Sequence, residues 1–117
     1  MFSDPTGQHL DQLRRDVGEL AVDCINELRR DFQLAVIITS SLRSQSEQDA
    51  LVRAGKSRTY KSYHLKGQAF DVDLAGVDRN SVTETAWRTI SRVFESAGFV
   101  WGGNWKSFVD KGHFEYH

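Results

Sequence analysis

Apolar residues recur three and four positions apart through the first part of the chain: Leu10, Leu13, Val17, Leu20, Ala21, Cys24, Ile25 and Leu28, with Arg, Asp and Glu between them. On a helix this spacing gathers one apolar stripe, so a single amphipathic helix is predicted over residues 8–31. The period then changes. QLAVIITS, residues 33–40, is a short β-branched run that reads as a buried strand. SSLRSQSEQDALVRAG turns and enters a short helix that starts near Ser44 or Ser46 and closes at Gly55. KSRTYKS is a polar, basic loop, and QAFDVDL alternates as a strand. NSVTETAWRTISRVFESAG is again amphipathic, with Ser81 as N-cap, Glu84 three residues on and Gly98 as terminator. FVWGG reads as a short strand entering a glycine turn, and HFEYH as a final strand. Four strand-like segments interleaved with three helices predict an α+β fold, with no internal repeat, linker or low-complexity tract.

Alternation assigns faces. Along QAFDVDL, Phe70, Val72 and Leu74 share one side of the strand, and Ala69, Asp71 and Asp73 the other. Along HFEYH, Phe114 and Tyr116 point inward, and His113, Glu115 and His117 outward. If the two strands are neighbours in one sheet, their non-core faces offer carboxylates and imidazoles to one another.

Composition narrows the classes. The 117 residues suit one domain, expected to span 1–117, and 39% hydrophobic with 26% charged residues is ordinary for a folded protein. A net charge of -1 supplies no basic field for nucleic acid or an anionic membrane. Cys24, the single cysteine, lies on the apolar stripe of the first helix and reads as a small core residue, so no internal disulfide forms. No apolar run approaches a membrane span, and MFSDPTGQ lacks the basic start and apolar stretch of a secretory signal. No stable membrane insertion is expected, and a monomer is.

The candidate chemistry lies in SYHLKGQAFDVD, residues 62–73, and DKGHFEYH, residues 110–117. Zinc takes imidazole nitrogens and carboxylate oxygens, with three protein ligands and an open position in catalytic sites. His64, Asp71 and His113 supply such a set, and Gly67 lets the chain turn between the first two. Read alone, however, that spacing favours His64 as a loop histidine and Asp71 as a surface acid by about ten to one.

Three segments resemble one family in the expected order. SYHLKGQAFD matches the pattern S-x-H-x-x-G-x-A-x-D at Ser62, His64, Gly67, Ala69 and Asp71. WGGNWKSFVDKGHFE, residues 101–115, resembles the second signature, and Ser40, Arg43, Ser44 and Gln48 match S-x-x-R-S-x-x-x-Q. The family is that of the zinc D-alanyl-D-alanine carboxypeptidases and L-alanyl-D-glutamate endopeptidases, and within it the chain resembles the small phage endolysins. The resemblance implies a small, mainly antiparallel sheet flanked by helices, of the Hedgehog and D-Ala-D-Ala peptidase type. It implies one zinc ion on His64, Asp71 and His113, with Asp110 as the catalytic carboxylate and Arg43 beside the metal. Ser62, Gln48, Trp101 and Trp105 would shape and support the site.

The same resemblance implies cleavage of the L-Ala–D-Glu amide of bacterial peptidoglycan stem peptides. A D-Ala-D-Ala carboxypeptidase or dipeptidase, and a non-catalytic zinc-binding module, remain the alternatives. Arg43, Arg58, Lys61 and Lys66 either rim the site for a substrate carboxylate or are solvated loop cations. The roles of Asp73, Glu115 and His117 stay open, as does a regulatory calcium ion, and His9 receives no role. No separate cell-wall-binding domain is expected, and access to the wall from the host cytoplasm would depend on a holin-type pore.

Overall fold

The predicted helix over residues 8–31 is two helices, α1 (Thr6–Gln12) and α2 (Arg15–Phe32). The apolar stripe continues through both, which is why its period gave no sign of the break. Tertiary contacts cause it. The Arg14 N–H donates to the Gly67 carbonyl at 2.9 Å, so that group is not available to an unbroken helix. Gly67 has φ +68°, and a Cβ there would lie 3.0 Å from the Arg14 nitrogen, so glycine alone permits this approach. At its other end α1 sits on the sheet edge, where the Thr6 hydroxyl accepts the Ile38 N–H at 2.9 Å. The computed structural model describes residues 6–41, 45–55, 67–106 and 109–117.

The elements that follow are β1 (Val36–Ser40), α3 (Gln45–Arg53), β2 (Ala69–Leu74), α4 (Glu84–Ser96), β3 (Val100–Trp101) and β4 (His113–Glu115). The four strands form one sheet in the order β1-β2-β4-β3, and every neighbouring pair is antiparallel. This is the α+β architecture expected from the sequence, with four α-helices among the described residues in place of three. Gly55 ends the α3 region with φ +74°, as anticipated.

The N-cap of α4 differs from expectation. Residues Arg79–Ser81 form a separate 3-10 turn, capped by the Asp78 carboxylate, which accepts the Asn80 N–H at 2.9 Å. Thr83, not Ser81, caps α4 by accepting the Ala86 N–H at 3.1 Å. Val82 between them packs on the core, which fixes where the helix can begin. Gly98, with φ +101°, terminates it.

One face of the sheet is closed by α2 and α4. Phe70, Val72, Ile38 and Phe114 from the strands meet Ile25, Leu28, Ile90 and Phe94 from the helices, all fully or almost fully buried. Phe94 packs on Phe114 with ring centroids 4.5 Å apart and edge-on to Phe70 at 5.4 Å. The alternation along β2 holds: Phe70 and Val72 are buried while Asp71 and Asp73 are partly exposed on the opposite face. Cys24 is buried in the core, as its place on the stripe suggested. Among the described residues, no helix is long and apolar enough to cross a membrane.

Candidate active site

The site stands on the two central strands. β2 and β4 are hydrogen-bonded neighbours, and Asp71 is the cross-strand partner of His113. Directly opposed residues on one face lie about 5 Å apart at Cβ, so register alone carries a carboxylate to an imidazole. His113 Nδ1 is 3.2 Å from Asp71 Oδ1, and on the far side of the ring Nε2 is 2.7 Å from Glu115 Oε1. Glu115 in turn pairs with His117 through its second oxygen. His113 and Glu115 are buried although they face away from the aromatic core.

Asp110 reaches the same place from the turn before β4. Its carbonyl accepts the His113 N–H at 3.2 Å, and its own N–H donates to the Gly102 carbonyl at 3.1 Å. One ligand atom each from Asp71, Asp110 and His113 all lie within 4.8 Å of one another. The two glycines of WGG allow this closeness. A Cβ on Gly102 would collide with the Asp110 carbonyl oxygen, and one on Gly103 would enter the Trp101 indole.

The tryptophans divide their roles. Trp101 is buried, and its Nε1 donates to the Lys111 carbonyl at 2.7 Å, which ties β3 to the turn carrying Asp110. Trp105 tilts over His113, with ring centroids 4.9 Å apart and planes at 44°. Gln48 is fully buried on α3. His64, Arg43, Ser62, Ser44, Arg58, Lys61 and Lys66 lie outside the described residues.

Charge is concentrated here. Burial disfavours the His113 imidazolium, but the hydrogen bonds and charges of Asp71 and Glu115 outweigh it and push the group up to about 9. Burial, and then the Asp71 charge, raise Asp110 above the ordinary carboxylate range, although His113 and Arg79 oppose the shift. Burial also opposes ionisation of Glu115, yet the hydrogen bonds from His113 and His117 prevail and hold its carboxyl below its ordinary value. Two carboxylates crowded beside an imidazole are an arrangement that a divalent cation relieves. Nitrogen and carboxylate oxygens are also the ligand types zinc selects, so the donor set fits that ion.

Sequence reasoning missed one participant at the site and one contact outside it. Arg79 reaches the site's edge from the 3-10 turn, with Nε 2.8 Å from Asp73 Oδ1 and Nη1 3.9 Å from Asp110 Oδ1. It belongs to no motif, and only the fold folds this turn back onto β2. Outside the site, His9 Nδ1 lies 2.8 Å from the Ser41 hydroxyl, which donates to Gln12 Oε1 at 2.8 Å. That network joins α1 to the end of β1.

Comparison with known proteins places this geometry in a family. The family model described as D-alanyl-D-alanine carboxypeptidase matches residues 55–116. The chain belongs to this peptidase family. It is 36% identical to the L-alanyl-D-glutamate peptidase of Listeria phage A118, across 72% of this chain and 31% of that protein. It is 33% identical to the peptidoglycan L-alanyl-D-glutamate endopeptidase CwlK of Bacillus subtilis (strain 168), across 80% of this chain and 67% of that protein. The chain thus spans about a third of the phage relative's length and two thirds of the Bacillus one. The crystal structure of the Serratia marcescens L-Ala D-Glu endopeptidase ChiX superposes with a TM-score of 0.80 at 27% identity, covering 99% of this chain and 89% of that one.

Proposed function

We propose that the chain is a zinc-dependent peptidoglycan peptidase that cleaves the amide between L-Ala and D-Glu of bacterial stem peptides. The observation that carries this is the meeting of Asp71 and His113, cross-strand partners on β2 and β4, with Asp110 from the turn before β4. The Listeria phage, Bacillus and Serratia proteins, all named for L-alanyl-D-glutamate cleavage, support the choice of bond.

Asp71 and His113 would hold zinc together with His64, the histidine of SYHLKGQAFD. When bound, zinc supplies Lewis-acid polarisation of the scissile carbonyl and of the attacking water. With Glu115 accepting the His113 Nε2–H, Nδ1 on the Asp71 side would be the nitrogen given up to zinc, its proton displaced by the ion. Asp110 takes the proton of the attacking water and passes it to the departing D-Glu amine, a contribution of roughly 10²–10⁴ in rate. Its raised proton affinity suits both halves of that task. Arg43, by its position in the upstream motif, would place fixed donors where charge develops on the carbonyl oxygen. A groove of about 350 Å³, lined by Arg79, Trp87, Val109 and Asp110 among others, opens beside the site. The chain would act on the cell wall during host lysis, in keeping with its phage relative.

Mass spectrometry of purified peptidoglycan digested with and without a zinc chelator tests the reading. Chelator-sensitive products bearing a free D-Glu amino terminus are expected. Release of a terminal D-Ala would replace the endopeptidase with the carboxypeptidase that the family description names. Stoichiometric zinc without cleavage would make the chain a binding module.

A further inference from the structure

Arg79 is a cation that no motif singles out, and it addresses three groups with one planar fork. Its Nε donates to Asp73 Oδ1 at 2.8 Å, and its Nη2 to the Val72 carbonyl at 3.1 Å. Its Nη1 stands 3.9 Å from Asp110 Oδ1. The first two contacts anchor the guanidinium to β2, the strand that carries Asp71. The third faces the turn that carries Asp110.

The surroundings hold this geometry. Arg79 begins the Arg79–Ser81 turn, whose Asp78 cap and Val82 N–H to Arg79 carbonyl bond (3.2 Å) fix the backbone. On the other side lies Gly112, where a Cβ would come within 2.5 Å of Arg79 Nη2 and 2.8 Å of the Val72 carbonyl. Only a glycine leaves room for the guanidinium at that crossing. The Gly112 carbonyl meanwhile accepts the Val72 N–H at 2.8 Å, so the fork lies where β2 and the Asp110 turn are already joined. A fork of fixed planar geometry can brace two elements at once, whereas an ammonium would choose one.

We propose that Arg79 is a positioning residue: pinned to β2 by Asp73 and the Val72 carbonyl, it holds the Asp110 carboxylate in place beside Asp71 and His113 at the edge of the groove. The inference rests on the reading of Asp110 as the proton-transferring group. Arg79 itself touches none of the reacting atoms. Its loss therefore lowers turnover while substrate and metal are still bound.

The test uses the full chain and a soluble muropeptide containing the L-Ala–D-Glu bond, with R79M, D73N, D110N and the R79M/D110N double variant. R79M is expected to lower kcat about tenfold with KM changed less than about twofold, as for a small misplacement of a catalytic group. D73N releases the guanidinium's short arm and lowers kcat in the same direction, so it carries the test if R79M does not fold. Zinc affinity, measured by competition with a chromophoric chelator, stays within about threefold, because Arg79 is not a ligand type for the metal. In the D110N background the effect of R79M on kcat disappears, since the group it positions is gone. An unchanged kcat in both R79M and D73N, an equal loss with and without Asp110, or a rise in KM alone would overturn the proposal. An active wild-type enzyme with indifferent Arg79 variants sinks only this inference, whereas an inactive wild type sinks the peptidase reading first.

Discussion

His113 Nε2 and Glu115 Oε1 lie 2.7 Å apart, two residues along β4 on the same face of the strand. The contact is buried, so it acts at low dielectric and holds the imidazole in one orientation. The opposite nitrogen, Nδ1, is thereby directed at Asp71.

Replacing Glu115→Gln keeps the side chain's shape but removes the charge that the His113 N–H faces. Zinc affinity is expected to fall about 10–100-fold, the usual cost of losing the carboxylate behind a metal-binding histidine. Titration against a chromophoric chelator measures it. Affinity within twofold of wild type would show that Glu115 does not support the metal.

Asp110→Asn separates a proton-transfer role from ligation, which the close cluster of Asp71, Asp110 and His113 makes a real question. Turnover is expected to drop by roughly 10²–10⁴ while zinc stays bound. Steady-state kinetics beside metal analysis of the dialysed protein decide it. Loss of zinc from the variant would move Asp110 into the ligand set.

Gly102→Ala places a methyl against the Asp110 carbonyl oxygen and near the His113 Cβ, at 3.0 Å. The backbone must shift, and with it the turn carrying Asp110. Activity is expected to fall on the order of 10²-fold, as displacements of about 1 Å at a reacting group do. Urea unfolding of the same variant checks that the fold survives; a fully active G102A would show that the WGG turn does not set the site.

Burial pushes the Cys24 thiol up to about 12, with the Glu27 and Asp23 charges adding to the effect, against an ordinary value of 9.0. The folded state therefore holds the proton more tightly than the unfolded one. The associated stability is fully present below pH 9 and is lost as pH rises from about 9 toward about 12. Native protein at pH 8 should resist a thiol-specific reagent that modifies the urea-unfolded chain at once. Rapid labelling of the native state would contradict the buried placement. The urea midpoint should fall between pH 8 and 10.5 in wild type more than in Cys24→Ala.

The local decisions of this fold were legible because they depend on neighbours in sequence. The stripe from Leu10 to Leu28, the alternation of Phe70 and Val72 against Asp71 and Asp73, and the glycine stops at Gly55 and Gly98 follow from helix and strand periods and from backbone freedom. The motifs around His64, Asp71, Asp110 and His113 pointed to metal chemistry for the same reason: the residue types are chemically specific. What the period could not reveal is where long-range contacts override it. The helix breaks at Arg14 because its N–H bonds to Gly67, 53 residues away, and α4 takes Thr83 as its N-cap where Val82 is packed on the core. The register Asp71↔His113, the backing of His113 by Glu115 and the reach of Arg79 to Asp73 and Asp110 were likewise decided by tertiary structure alone. Such contacts form only when strands and turns distant in the chain are packed together, so the sequence names the chemical groups while the sheet determines which of them meet.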